Sequence, residues 1–504
     1  MASGTAEATL DKSKYTVNGL TYTKMGLITV FSWLLWGAFI FNMMETVKPQ
    51  VLPLFLMGDA GKVGASMSVT NLMMVVVPGI TGILIGPAVS FKSDRYRSKR
   101  GRRIPFITWT TPPLVIALIG MGLAPWYRDL FEQMGGVWFL SAKTATLLVV
   151  GFFVVMFHVF DEFVNSVFWY LFADVVPEAF IGRFMALFNM VGRGAYLLFM
   201  GVLFRYAETH FQWIYIGIAL VYLVGLTVVC WKVKEGEYPP PDDLGENPSI
   251  LKQIKVYVVE CFSHRIYICV FLFTAAMAFA TGANAGLIIF HRDGLGLSMD
   301  ALANAGMIIG IFSMVLAYPS GWAVDKWHPL RITLLMTPPL IVSQFLAFFL
   351  MKDLTSYVLF QAGPLIFLSL FNAANVPMLI TVFPKDKYGQ FCSCNGMVRS
   401  TAAMIGGMFA GPFMDAMTRT QVVRDGLTQI VVDKVAFRWV YVWTGIFQIV
   451  GLYFLWLAYR AWKNRGGDRA YVPPGSALEK ELLAKGQRQP EPPEQEGAAA
   501  PLPA

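Results

Sequence analysis

About twelve runs of twenty or more mostly apolar residues divide this chain, and few folds tolerate that pattern. They lie near 24–57, 67–89, 103–124, 144–174, 185–205, 211–232, 266–290, 300–322, 329–351, 356–382, 391–415 and 437–461. An apolar helix needs about 20 residues to cross the hydrocarbon core of a bilayer. Inside lipid every backbone N–H and C=O has to be satisfied within the segment, so runs of this kind fold as helices. Composition agrees: 56% of the 504 residues are hydrophobic and only 14% are charged. An ordinary soluble chain is about 45–50% apolar and about 25% charged. Disorder and a disulfide scaffold are therefore excluded for most of the length. The five cysteines lie mostly in apolar runs and are expected to be reduced and buried. The first run holds Pro49 and Pro53, which predict a kink. The expected fold class is an all-α integral membrane protein with twelve transmembrane helices.

Lys and Arg exceed Asp and Glu by 40 to 32, a net charge of +8. The excess sits in short loops between apolar runs, which points to the inner face of a bilayer and away from nucleic acid. Lys92, Arg95, Arg97, Lys99, Arg100, Arg102 and Arg103 crowd one loop, with Asp94 the sole acid. Lys232, Lys234, Lys252, Lys255 and Arg265 mark the central loop, and Arg460, Lys463, Arg465 and Arg469 follow the last run. This pattern predicts a plasma-type or inner membrane with both termini cytoplasmic. Arg419, Arg424, Lys434 and Arg438, between the last two runs, go against it. The first 22 residues are polar and show no cleavable signal peptide. The organisation read from these features is a cytoplasmic tail over 1–23, a six-helix bundle over 24–232 and a cytoplasmic linker over 233–265. A second six-helix bundle over 266–462 and a Pro-, Glu- and Ala-rich disordered tail over 463–504 complete it.

The two bundles repeat one another. Thr111-Pro112-Pro113-Leu114 in the third run returns as Thr337-Pro338-Pro339-Leu340 in the ninth. Each follows an Asp-basic pair, Asp94-Arg95 and Asp325-Lys326. Asn165, Pro177 and Gly182 recur at the same spacing as Asn372, Pro384 and Gly389. Asn189/Arg193 and Asn395/Arg399 then follow, one residue out of register. Fixed order across several short matches argues for homologous six-helix halves, the plan of one large transporter class.

Gly321-Trp322-Ala323-Val324-Asp325-Lys326 resembles the G-x-x-x-D-[RK] loop signature of the major facilitator superfamily. The stretch from Ser93-Asp94-Arg95 to Gly101-Arg102-Arg103-Ile104-Pro105-Phe106 is its counterpart. That longer form, with the Asn165…Asp174…Pro177 segment, resembles the sucrose transporter and glycoside–pentoside–hexuronide branch. Ser90 departs from the signature, standing where it has Gly. The resemblance spans roughly 24–462 and implies alternating access by secondary active transport of a glycoside or disaccharide. It implies proton symport, with sodium as the other coupling ion; a single twelve-helix chain could hold a complete pathway, so function as a monomer is expected. Asp94, Arg95, Gly101, Arg102, Arg103, Asp174, Gly321, Asp325 and Lys326 would form a cytoplasmic gate.

Ionisable residues within the membrane are costly, so each implies a partner, a cavity or an interface. The fourth run carries His158, Asp161, Glu162, Asn165 and Trp169 on one helical face. His158 reads as a packing residue. Asp161 and Glu162, with Glu45 on the first run and Arg193 on the fifth, are candidates for ion coupling. Glu45 stands at i+3 spacing from Lys48, and Arg193 is expected to face the fourth-run carboxylates. Asn42, Asn165, Trp169, Asn284, Asn372, Asn375 and Arg399 are candidates to line the solute cavity. Amides suit hydroxyl recognition, and Trp169 suits stacking on a sugar ring.

The chain has no phosphate-binding G-x-x-x-x-G-K-[ST], no H-E-x-x-H and no zinc-spaced Cys/His set. No cofactor, metal or catalytic residue is expected, and an enzyme is disfavoured. Two other readings stand: a carrier of organic anions or a drug exporter, which cavity-facing Arg193 and Arg399 would favour, and a sugar sensor of the same fold that does not transport.

Overall fold

The computed structural model describes residues 15–57, 63–137, 139–236, 259–384, 387–424, 427–467, 471–476, 479 and 481–482. Most of the expected linker and of both tails lies outside these residues, as do the side chains of Asp94, Arg95 and Asp325.

Among the described residues, twelve long helices account for the apolar runs. They are α1 (Lys24–Met57), α2 (67–95), α3 (Ile104–Gly122), α4 (Ala142–Val175), α5 (178–206) and α6 (Phe211–Lys232) in the first half. The second half holds α7 (Arg265–Gly294), α8 (Met299–Lys326), α9 (Pro329–Leu350), α10 (Leu354–Val382), α11 (Tyr388–Thr418) and α12 (Trp439–Lys463). Eleven of these, among the described residues, are long and apolar enough to cross a membrane. The remaining one, α11, carries Gln390, Asn395, Arg399 and Ser400, which lower its hydropathy.

Within the first half α3 packs on α4 and α6, α1 on α5 and α6, and α2 on α4. In the second, α7 packs on α11 and α12, α9 on α10 and α12, and α8 on α10. The sequence repeat maps onto matching places. Thr111 and Thr337 are buried, and each hydroxyl donates to the carbonyl four residues back, at 2.7 Å in both helices. That bond seats the hydroxyl in the first turn ahead of the tandem prolines, where the helix loses backbone donors.

The halves meet through α1 with α7, α2 with α11 and α5 with α8. On the face opposite the termini this contact is sealed by polar bonds. The Asp415 carboxylate of α11 accepts from the backbone N–H of Met67 (3.0 Å) and Ser68 (3.1 Å) and from the Ser68 hydroxyl (2.5 Å). It thus caps the free N–H groups at the start of α2 from the other half. Asn71 of α2 donates to the carbonyls of Gly282 (2.8 Å) and Gly407 (3.1 Å). Gly411 lets the helices approach this closely, since a Cβ there would stand 2.7 Å from Ser68 Cα. Arg292 pairs with Glu208 at 3.0 Å, and Arg205 stands 3.7 Å from Asp300. Lys434 reaches across to the carbonyl of Met57 at 2.9 Å. Lys434 belongs to the loop that runs against the charge pattern. That loop folds as a hairpin of β3 (Arg419–Arg424) and β4 (Leu427–Val432), counting the small β1 (Thr16–Val17) and β2 (Leu20–Thr21) near the start. Arg419 pairs with Asp415 at 3.6 Å, and Arg438 lies 5.2 Å from the Phe348 ring. Of its described basic residues, Arg419 and Arg438 thus make contacts within the second half, and Lys434 ties the loop to the first.

On the face bearing the termini, the polar bonds identified between described residues join elements of one half. Part of the segment read as a disordered tail is seated there. Tyr471 donates to the carbonyl of Val382 at 2.9 Å, and Tyr267 donates to that of Pro474 at 2.7 Å.

Candidate functional site

Glu45 and Lys48 are one helical turn apart on α1, and Lys48 Nζ donates to Glu45 Oε1 at 2.8 Å. The same ammonium reaches Asp161 Oδ2 on α4 at 3.1 Å. It also stands 4.4 Å from the ring of Phe157, one turn before Asp161 on the same face. Lys48 and Asp161 are 9% and 8% exposed, whereas the Glu45 side chain is 39% exposed. Asp161 Oδ1 is buried and has no hydrogen-bond partner. This cluster therefore holds one ammonium between two carboxylates, with one acceptor oxygen unused. Glu162 turns elsewhere: its Oε1 accepts from Ser166 at 3.3 Å, and its other oxygen approaches Gly82 of α2.

A second polar site lies in the other half. A cavity of about 690 Å³ is walled by Asn284, Asn372, Asn375, Arg399, Gln361 and Gln448, among others. A neighbouring cavity of about 430 Å³ shares Thr281, Asn284, Leu287 and Gln361 with it and extends between the halves to Pro49 and Gln50 of α1. Helix α7 breaks into a 3₁₀ turn at Thr281–Ala283, where the two meet. Irregular helix at membrane depth is tolerated where it lines a cavity. Arg399 is exposed to this space and makes no ion pair or hydrogen bond among the described residues.

The structure brings together Glu45 and Asp161, and separately Asn284, Asn372, Asn375 and Arg399. It does not place Arg193 against the α4 carboxylates. Arg193 Nη1 instead donates to the Ser313 carbonyl of α8 at 2.6 Å, joining the halves. A guanidinium next to an exposed carbonyl of the facing helix finds a partner without crossing the bundle. Asn42, Asn165 and Trp169 line neither cavity. Asn42 donates to the Ala38 carbonyl at 2.8 Å and packs against Gly192, while Trp169 donates to Asn165 at 3.0 Å and packs at a tilt against Phe188. The partnership of Lys48 with Asp161 was not read from sequence because 113 residues separate them. Gln344, Gln361 and Gln448 were missed too, although an amide in an apolar run is a visible signal.

At the terminal face Asp174 accepts from Arg102 (2.5 and 2.9 Å) and Arg103 (3.0 Å), and Arg103 donates to Ser93 at 2.5 Å. Glu235, just beyond α6, accepts from the backbone N–H groups of Arg102 (2.9 Å), Arg103 (2.8 Å) and Ile104 (2.6 Å). Gly101 has φ +100, and a Cβ there would come within 2.6 Å of Glu235. These contacts brace the first half internally. Gly321 borders open space, and Lys326 lies over Trp322 and Trp327.

A family profile described as Major Facilitator Superfamily matches residues 191–366. No curated protein matches the chain. Solved structures align along nearly all of it. A bacterial homologue of the iron transporter ferroportin, in an inward-facing state, gives a TM-score of 0.61 at 14% identity, covering 86% of this chain and 99% of that one. The nucleoside transporter NupG gives 0.61 at 11% identity, covering 85% and 98%. A D-xylose-proton symporter gives 0.54 at 14% identity, covering 85% and 96%. The chain has the major facilitator fold. Its two halves, closed on the face opposite the termini, correspond to the paired bundles of that fold. Among the described residues no group of three or more His, Cys, Asp or Glu is arranged to hold a metal ion.

Proposed function

We propose that this major facilitator-fold chain is a secondary active transporter that carries a hydroxyl-rich solute of glycoside size by alternating access, coupled to protons. Two observations together carry this reading: the buried Lys48–Asp161 pair with Glu45 beside it in one half, and an amide-walled cavity in the other. A proton on Asp161 would weaken its bond to Lys48 and leave the ammonium to Glu45. Pro49 and Gln50, which follow Lys48 on α1, line the neighbouring cavity that shares Thr281, Asn284, Leu287 and Gln361 with the amide-walled one, so α1 would link that change to the cavities. Amides and hydroxyls both donate and accept, which matches sugar hydroxyls. The loop charges support a cytoplasmic placement of both termini in a plasma-type membrane, and a single twelve-helix chain would suffice to hold a complete pathway as a monomer.

The test is uptake of a labelled disaccharide panel into proteoliposomes under an inward proton gradient without sodium. Accumulation that a protonophore abolishes is expected. Accumulation that needs sodium and ignores the protonophore would refute proton coupling. A second reading rests on Arg399, whose unpaired guanidinium in the cavity suits an anionic group on the solute. Competition by small carboxylates but not by neutral sugars would favour it.

A further inference from the structure

A cleft of about 650 Å³ opens between α3 and α6 at the face bearing the termini, away from the central cavities. Its deep part is formed by Leu223, Leu226 and Cys230, with Thr108, Pro112 and Thr227 on the exposed helix surfaces. Its mouth carries Lys99, Arg100 and Lys234, all exposed and none with an ion pair among the described residues. The nearby acids are already engaged. Glu235 is held by three backbone N–H groups at the start of α3, and Asp174 by Arg102 and Arg103. Trp109 and Trp231 flank this level at 59% and 74% exposure. Exposed indoles mark the boundary between headgroups and hydrocarbon.

We propose that this cleft is a binding site for an anionic phospholipid, its phosphate held by Lys99, Arg100 and Lys234 and an acyl chain laid along Thr108, Pro112 and Thr227. Basic pockets between membrane helices select anionic headgroups through local charge. The apolar Pro112, Leu223 and Leu226 of its lining, at the level of the exposed Trp109 and Trp231, commit the occupant to a lipid, since a free phosphate would leave them uncovered. This assignment does not depend on the solute or the coupling ion.

The test is quantitative lipid analysis of the full chain purified from nanodiscs of equal phosphatidylglycerol and phosphatidylcholine. Wild-type protein should retain phosphatidylglycerol over phosphatidylcholine by at least about tenfold, given three basic residues at a membrane surface. Lys99→Ala with Arg100→Ala and Lys234→Ala should bring the ratio to about one. Lys92→Ala with Lys463→Ala, which removes basic residues outside the cleft, should leave it unchanged. Thr227→Trp keeps every charge but fills the cleft, and it should lower the ratio as the triple variant does. Thermal melting of each variant checks that it is folded. No preference in the wild type, or a triple variant that keeps it, would overturn the proposal. So would inorganic phosphate raising the melting temperature of lipid-stripped protein as much as phosphatidylglycerol does, which would assign the site to a free anion.

Discussion

The contact between Lys48 and Asp161 makes an ordered prediction about three variants. Both side chains are nearly buried, and the ammonium makes charge-assisted bonds of 2.8 and 3.1 Å. Removing one partner of a buried pair leaves the other charge unsolvated, at a cost of about 3–5 kcal/mol. Lys48→Met leaves Asp161 and Glu45 facing each other with no cation, so its cost should lie near the upper end, about 5 kcal/mol. Asp161→Asn leaves Lys48 with Glu45, so its cost should lie near the lower end, about 3 kcal/mol. No part of either figure is assigned to the Glu45 bond, because that carboxylate is 39% exposed and screened by water. The double variant Lys48→Met, Asp161→Asn removes both buried charges and should recover much of the loss. Thermal inactivation in detergent should thus rank Lys48→Met as least stable, then Asp161→Asn, then the double variant. In proteoliposomes Asp161→Asn should abolish uphill accumulation but keep solute exchange, since exchange needs no net proton movement. Equal stability of all three variants would refute the buried-pair argument. Concentrative uptake by Asp161→Asn would refute its role in coupling.

Asp415→Ala should loosen the closed face by removing an acceptor for two backbone N–H groups and a hydroxyl. At about 1.5–3 kcal/mol for a hydrogen bond to a charged group, the population should shift at least about tenfold toward opening there. Thiol labelling of a cysteine placed at Gln361 reads this shift, and unchanged labelling would count against the latch. Gly101→Ala should destabilise the first half by about 1–3 kcal/mol, because φ +100 and the Glu235 carboxylate both exclude a Cβ. Its melting temperature should fall, and a wild-type value would show that the loop rearranges freely. Arg399→Gln tests the anionic reading: it should leave uptake of a neutral glycoside nearly intact but abolish inhibition by carboxylates, whereas equal loss of both would assign Arg399 to the neutral solute.

The all-helical membrane fold, a helix count close to twelve and the polar character of several helix faces were legible in the sequence, because each depends on short-range pattern. Bilayer thickness sets the length of the apolar runs, and the tandem Thr-Pro-Pro-Leu segments mark equivalent helices in each half. Asn284, Asn372, Asn375 and Arg399 stood out as polar side chains in apolar helices, and they do share one cavity. Which polar groups meet was another matter. Asp161 finds Lys48 on α1, Asp415 caps the start of α2, and Arg193 bonds to α8. Such pairings depend on the rotation and closeness of helices distant in sequence, which no helical period encodes. The apolar pattern alone determined that this chain is a bundle of membrane-length helices, since lipid offers the backbone no other partners. Only the tertiary structure decided which charges compensate each other and which face is closed. Burial makes an unpaired charge so costly that the packed helices, and not the local sequence, select its partner.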